Sequence, residues 1–375
     1  MWGLPKIRVG IIFGGRSGEH EVSLMSARNV MEAIDPERFE VVPVGITREG
    51  RWLLTGDPWL ALQGGVAAAG GLPVALLGAS TGEVGRQPRL SAAAAGQAVN
   101  LSDRVDVIFP VLHGTYGEDG TIQGLLEMAD LPYVGGGVLA SALGMDKVMA
   151  KTVWEQNGLP VTPYLAVLRR DWERSEDSVI SQVEAAFSYP VFVKPANAGS
   201  SVGVGKAKNR QGLVQAMDDA VRYDRKILIE EFVDGREVEC SVLGNDDPIA
   251  SVPGEVVPGN EFYDYRAKYI DDNSDLIIPA NLDAATTKKV QETAVAAFRA
   301  LDCAGMARVD FFVTRQDSRV IINEINTIPG FTKISMYPKL WAASGLSYRD
   351  LISRLIDLAL ERHQDRLRSA TTFQA

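Results

Sequence analysis

The sequence predicts an α/β (α+β) protein of more than one domain, led by an open parallel α/β unit. Three observations predict it. The chain has 375 residues, beyond the usual size of one core, and 46% are hydrophobic, enough to fill two or three cores. Ile7 to Phe13 is a short continuous apolar run, typical of a strand buried on both faces of a parallel sheet. That run stops at Gly14-Gly15-Arg16-Ser17-Gly18-Glu19 and is followed by helical spacing, then by strands over Val41 to Ile46 and Val105 to Leu112.

The first helix is expected from near Ser23, with Leu24, Ala27, Val30, Met31 and Ile34 on one face. Residues from about Thr47 to Asn100 are rich in Ala and Gly with weak periodicity, and are read as a peripheral elaboration carrying no chemistry. Gly135-Gly136-Gly137 marks a boundary, so the expected division is 1–136, 137–232 and 233–375. Val138 to Asn157 is helical in pattern, Val191 to Pro195 and Ile227 to Phe232 read as strands, and Glu237 to Leu243 opens the last block. An amphipathic helix runs from the N-cap Ser347 to about Arg366, and the chain frays from Ser369 onward.

Composition excludes several function classes. A net charge of −10 makes the chain a poor partner for nucleic acid, which needs clustered Lys and Arg. Two cysteines and three scattered histidines cannot assemble a zinc finger, and Cys240 and Cys303 both lie in apolar contexts that suit buried thiols. No run of about 18 apolar residues occurs, and the N-terminus lacks a signal-peptide core. A soluble, cytoplasmic protein without a membrane partner is expected.

The most informative segment pairs Arg308-Val309-Asp310-Phe311-Phe312-Val313 with Val320-Ile321-Ile322-Asn323-Glu324-Ile325-Asn326 across a polar turn. A turn centred between Gln316 and Asp317 sets Asp310 opposite Glu324 and Arg308 opposite Asn326. Period-two alternation then projects all four from one face. Two carboxylates and an amide oxygen beside an arginine form a hard-oxygen site suited to Mg²⁺ held with phosphate oxygens. A solvent-facing salt-bridge ladder is the plainer alternative.

Other segments carry weaker signals. Gly199-Ser200-Ser201-Val202-Gly203 follows a strand holding Lys194; its backbone N–H groups suit phosphate oxygens, but an ordinary hairpin turn fits equally. Ile227 to Val233 offers an apolar slot for an adenine with Glu237 near a ribose, or simply an edge strand entering an acidic turn. His113, between a strand's carboxyl end and Gly114, is either structural or placed for a ligand. Glu19 either complements a helix dipole or holds a substrate ammonium. Tyr263 to Tyr269 is either a solvated loop or a lid with a lysine, Lys268. Thr327 to Met336 places the Gly330 N–H and the Ser335 hydroxyl where an oxyanion or carboxylate could bind.

Taken together these motifs are specific. Gly14-Gly15-Arg16-Ser17-Gly18-Glu19-His20-Glu21-Val22-Ser23, His113-Gly114 with Gly117-Glu118-Asp119-Gly120, Met145-Asp146-Lys147, Gly199 to Gly203, Tyr263-Asp264-Tyr265 with Ala267-Lys268-Tyr269, and Glu324-Ile325-Asn326-Thr327 with Pro329-Gly330 occur in one family's order. From about Ile7 to about Leu360 the chain closely resembles the D-alanine–D-alanine ligases of the ATP-grasp superfamily. The resemblance implies a three-domain ATP-grasp architecture and ATP-dependent joining of two D-alanines, through an acyl phosphate, for peptidoglycan synthesis. It also implies two Mg²⁺ ions (Mn²⁺ as a substitute), a homodimer, and D-alanine and ATP as the small-molecule partners.

By motif position, the resemblance gives Lys147, Lys194, Ser200 and Ser201 the ATP phosphates and Lys268 the γ-phosphate. Glu230, Phe232, Val233 and Glu237 form the adenine and ribose pocket, and Asp310, Glu324 and Asn326 carry the metal. Glu19, with His113 close by, binds the first D-alanine. Arg308 and the Gly330 N–H stabilise the tetrahedral intermediate, Ser335 and Met336 receive the second D-alanine, and Glu19, Ser200 and Tyr269 form an orienting trio. The sequence departs from many relatives at Glu231, and its 47–100 segment is longer than in the shortest members of the family.

Three rivals stand against this reading. A depsipeptide ligase would place D-lactate second; an intact Ala267-Lys268-Tyr269 without histidine favours an amine acceptor. A dinucleotide-dependent oxidoreductase would want Gly-x-Gly-x-x-Gly rather than the Gly-Gly-x-x-Gly present here, and would leave the acidic hairpin without a task. A nucleotide binder without activity would not need the complete metal set.

Overall fold

A computed structural model describes residues 5–55, 60, 66, 71–75, 99–257, 275–332 and 334–370. Among them the chain forms three sheets. The first holds β1 (Ile7–Gly14), β2 (Phe39–Ile46), β3 (Trp52–Leu54), β4 (Leu72–Ala75), β5 (Val99–Asn100) and β6 (Val107–Val111), in the order β5-β4-β3-β2-β1-β6. β1 runs parallel to both β2 and β6. Its interior residues Val9, Ile11, Ile12 and Phe13 are fully buried, as the unbroken apolar run requires.

Two expectations are corrected here. The first helix starts at His20, not near Ser23, because Ser23 N–H already closes the first turn on the Glu19 carbonyl, and the helix continues to Ala33. Ser23 is instead a buried pin: its hydroxyl accepts from Gly14 N–H at 2.8 Å and donates to the Val111 carbonyl. Within 47–100, the described strands β3, β4 and β5 extend the sheet, so this segment is sheet edge as well as elaboration.

The second sheet holds β7 (Tyr164–Leu168), β8 (Val191–Pro195), β9 (Gly205–Ala207) and β10 (Lys226–Glu231), ordered β7-β10-β8-β9. The third holds β11 (Gly235–Gly244), β12 (Ile249–Ala250), β13 (Gly254–Val257), β14 (Asp275–Ile277), β15 (Gly305–Thr314) and β16 (Val320–Asn326), ordered β14-β13-β11-β15-β16 with β12 on β11. β8 and β16 have the bounds the sequence predicts. Helices Val138–Met145 and Lys147–Gln156 meet at Asp146, whose carboxylate caps Val148 and Met149 N–H groups.

The C-terminal helix Tyr348–Leu367 starts at the predicted cap, where the Ser347 hydroxyl accepts from Asp350 N–H. Its buried face (Leu351, Ile352, Leu355, Ile356) joins one cluster with Val9, Phe13 and Phe109 of the first sheet and with Phe331. Arg362 reinforces the seam, donating to the carbonyls of Tyr133 and Gly135. Truncating one such leucine to alanine removes about 2–5 kcal/mol. Cys240 and Cys303 are free and buried, as their apolar contexts suggest, and burial pushes both thiols up to about 12.

Candidate active site

Loops beside the first sheet and strands of the second and third sheets line a cleft of about 820 Å³. Its floor is the β15–β16 hairpin. Arg308 pairs with Asn326 and Asp310 with Glu324, the register the sequence predicts, and a bulge after Asp310 sets Phe311 opposite Ile322. All four residues line the cleft. Arg308 grips Asp310 with two N–H groups, both at 2.7 Å, while Asn326 donates to the same carboxylate at 3.0 Å. Glu239, opposite Asp310 on β11, lies 2.9 Å from Arg308 Nε. Burial disfavours the Arg308 charge, but Asp310 and Glu239 together raise its pKa well above the ordinary range.

The chemistry of this donor set suits a divalent cation, although Arg308 holds both Asp310 oxygens and no group of three acidic, His or Cys side chains among the described residues is gathered as a metal cage. Asp310, Glu324 and Asn326 present hard oxygens from adjacent positions of one sheet face, and Asp310 remains largely buried. Lys147 Nζ lies 3.4 Å from Glu324 and donates to the Ala198 carbonyl at 2.9 Å.

One wall is the Gly-rich turn between β8 and β9, so the hairpin reading holds and the turn also lines the cleft. Ser200 and Ser201 adopt left-handed conformations (φ 50° and 58°), a strain of order 1 kcal/mol or more each that concentrates at functional loops. The Ser200 hydroxyl donates to Glu19. Glu19 stands at the N-cap of the first helix without making a side-chain cap bond, so its carboxylate serves the cleft rather than the helix end. Gly114 has φ 74°, a left-handed conformation that favours glycine, and a Cβ there would also crowd Glu19 Oε2 at 2.5 Å.

His113 is buried, with Nε2 3.1 Å from the Ser26 hydroxyl. Burial lowers its pKa against the opposing pull of Glu19, leaving a neutral ring at physiological pH. Glu118 accepts from Gly114 N–H at 2.8 Å, and burial, then the Glu19 charge, pushes its carboxyl up to about 8.

At the opposite end, Phe192 and Phe232 stack with centroids 6.3 Å apart, and Lys206 Nζ sits 4.6 Å from the Phe232 ring centre. Val233 and Glu237 line the same region. Glu230 is buried, with its carboxylate between Lys194 (2.5 Å) and Lys151 (2.7 Å). Gly330 abuts Ser335, whose hydroxyl accepts from Thr332 N–H at 3.0 Å; Met336 is buried against Val256 and Leu340 while still lining the cleft. Lys268, Tyr269 and the remainder of 263–269 lie outside the described residues.

Lys151, Glu239, Asn323 and Glu118 were not assigned roles from sequence. Glu239 carried a signal, since it follows Glu237 by two on one strand and so shares its face. Lys151 follows Lys147 by one helical turn. Asn323 sits at the bulge and accepts from Lys194 at 3.2 Å, which no period-two pattern anticipates.

Comparison with known proteins agrees with the cleft. A family model described as D-ala D-ala ligase N-terminus matches residues 8–136, and one described as D-ala D-ala ligase C-terminus matches 153–357. The chain is 51% identical over 370 residues to D-alanine–D-alanine ligase of Natranaerobius thermophilus, covering 99% of each chain. It is 52% identical over 372 residues to that of Ruminiclostridium cellulolyticum, covering 98% of this chain and 99% of the relative. Among solved structures, the D-alanine–D-alanine ligase of Coxiella burnetii superposes with a TM-score of 0.80 at 37% identity, covering 97% of each chain. The VanG D-Ala:D-Ser ligase of Enterococcus faecalis superposes with a TM-score of 0.80 at 36% identity, covering 95% of this chain and 100% of that one. The chain therefore belongs to the D-alanine–D-alanine ligase family, C–N ligases of ATP-grasp fold that use ATP and a divalent metal to make the dipeptide of peptidoglycan.

Proposed function

We propose that this cleft joins two D-alanines through a D-alanyl phosphate. The γ-phosphoryl of ATP passes to the carboxylate of the first D-alanine; the amine of the second then attacks that carbon, forming the C–N bond and releasing phosphate. The observation that carries the reading is the β15–β16 face, where Asp310, Glu324 and Asn326 stand side by side next to Arg308 at the cleft floor. Divalent ions held there supply charge neutralisation for the phosphate oxygens.

Phosphoryl transfer needs positioned cations rather than a protein nucleophile. Lys147 and Lys194 hold the ATP phosphates with the Ser200–Ser201 loop, and Lys268 reaches the γ-phosphate. Phe232, Val233 and Glu237 line the adenine and ribose pocket, to which Glu230 contributes from its buried position. Glu19 receives the first D-alanine's ammonium, and neutral His113 adds no repelling charge there. Arg308 and the Gly330 N–H stabilise the oxyanion of the tetrahedral intermediate. Ser335 and Met336 receive the second D-alanine, oriented by Glu19, Ser200 and Tyr269.

On this reading 1–136 supplies first-substrate loops, 137–232 the phosphate loop, and 233–375 the lid, metal and second-substrate sites. Two metal ions, Mn²⁺ as a substitute, a homodimer and a cytoplasmic location complete the proposal and rest on the family resemblance. The test is a product assay at neutral pH with ATP, Mg²⁺, D-alanine and equal D-lactate and D-serine. D-Alanyl-D-alanine should dominate, with one ADP and one phosphate per dipeptide. Mainly D-alanyl-D-lactate or D-alanyl-D-serine would overturn the acceptor assignment.

A further inference from the structure

Lys194 does not face the cleft as an isolated cation. Glu230, on the neighbouring strand β10, lies 2.5 Å from Lys194 Nζ through Oε2 and 2.7 Å from Lys151 Nζ through Oε1. The two lysines are not equivalent. Lys194 lines the cleft, whereas Lys151 is 1% exposed on the far side of the carboxylate and does not line it. Lys147, one turn earlier on the same helix, turns instead to Glu324 and the Ala198 carbonyl.

One buried carboxylate thus sits between two ammonium groups, only one of which opens toward ligand. With Lys194 as its sole partner, Glu230 would form a neutral pair, and attraction between opposite charges at this separation in a low dielectric would withdraw the ammonium from any phosphate. Burial works against the Lys151 charge and Glu230 in contact with it works for it; with Lys151 charged, the group of three carries a net positive charge, and Lys194 is the lysine of the group that reaches the cleft.

We infer that Lys151 is a positioning residue for nucleotide binding: it neutralises Glu230 from behind, so that Lys194 keeps its charge for the phosphates. Burial alone would raise the Glu230 carboxyl, yet Lys151 first and Lys194 next hold it at about 2, so the carboxylate stays charged throughout the working pH range. The inference rests on the reading that Lys194 faces phosphate.

The test is calorimetric titration of the full chain with ADP and, separately, with adenosine. Lys151→Met should weaken ADP about tenfold while adenosine stays within about twofold, because only the phosphates feel the lost charge. Lys151→Arg should keep ADP within about threefold of wild type. The double variant Lys151→Met/Glu230→Gln should restore the ratio of ADP to adenosine affinity to within about threefold of wild type, since no carboxylate remains to capture Lys194 and any loss at the adenine pocket falls on both ligands alike. Equal loss of ADP and adenosine in Lys151→Met, or no loss of ADP, would overturn the inference. If that variant does not fold, the double variant decides alone, because replacing a buried ion pair by neutral groups of similar size is tolerated. A fall of about tenfold in its ratio of ADP to adenosine affinity would then be the contradicting result. Lys194→Met separates the two levels. ADP affinity surviving that change would defeat the phosphate reading itself. ADP affinity lost there but intact in Lys151→Met would defeat only the role of Lys151.

Discussion

Two strand-borne acidic sites line the cleft, and their surroundings set them apart. On β10, Glu230 is 2% exposed and closed between two ammonium groups. On β15 and β16, Asp310 and Glu324 are cross-strand neighbours on the cleft floor, and the Glu324 side chain keeps 24% of its surface. Both sites combine carboxylates with lysine or arginine, so residue type alone does not separate them. The difference lies in the ratio of cations to acids and in access to ligand. A carboxylate held between two cations, only one of which reaches the cleft, is a counter-ion. Asp310, gripped by Arg308, and Glu324, 3.4 Å from Lys147, instead stand side by side on a face that lines the cleft.

Four changes would break or sharpen that contrast, taken from the largest effect. Glu324→Gln should lower dipeptide formation about 100–1,000-fold, the loss typical of one preorganised electrostatic group, while the melting temperature stays within about 3 °C. Near-normal turnover would show that the floor acids are not the metal site. Arg308→Met should abolish most activity and also destabilise the fold by about 3–5 kcal/mol, since it strands Asp310 and Glu239 without their shared cation. Chemical denaturation reads this directly, and an unchanged midpoint would contradict the pairing.

Lys147→Met should raise the KM for ATP about tenfold and leave that for D-alanine nearly unchanged, as a phosphate contact would. A matching rise in both would point to a collapsed cleft instead. The smallest effect concerns Glu118. Its folded-state carboxyl, at about 8, lies above the ordinary 4.5, so the folded protein binds a proton that the unfolded chain has released between those values. That contribution to stability is full below about 4.5 and disappears as pH rises through 8. Glu118→Gln should therefore lose less melting temperature than wild type between pH 6 and 9; parallel curves would refute the assignment.

What the sequence could disclose followed from local rules. Alternation placed Arg308 and Asp310 on one face, and the length of the turn fixed their partners Asn326 and Glu324. The apolar run of β1 showed double-sided burial because a parallel central strand has no solvent face to pattern. Ser347 announced its helix through cap chemistry.

What was hidden depended on distant neighbours. Nothing near Lys151 announces that it meets Glu230, nor does the amphipathic stripe of Tyr348–Leu367 say that its partner is the first sheet. The bulge that frees Asn323 for Lys194 breaks the period that made the rest of the hairpin readable. Apolar spacing that begins at Leu24 points to a helix start near Ser23; the first turn, from His20, carries no such stripe, and Ser23 pairs instead with Gly14 and Val111.

The most direct test of the floor site measures ADP affinity with and without Mg²⁺ in wild type and in an Asp310→Asn/Glu324→Gln variant. Mg²⁺ should tighten ADP at least about tenfold in wild type and leave the variant's affinity unchanged. An equal Mg²⁺ enhancement in both proteins would mean that the ion is held elsewhere, and that the hairpin does not organise the transfer.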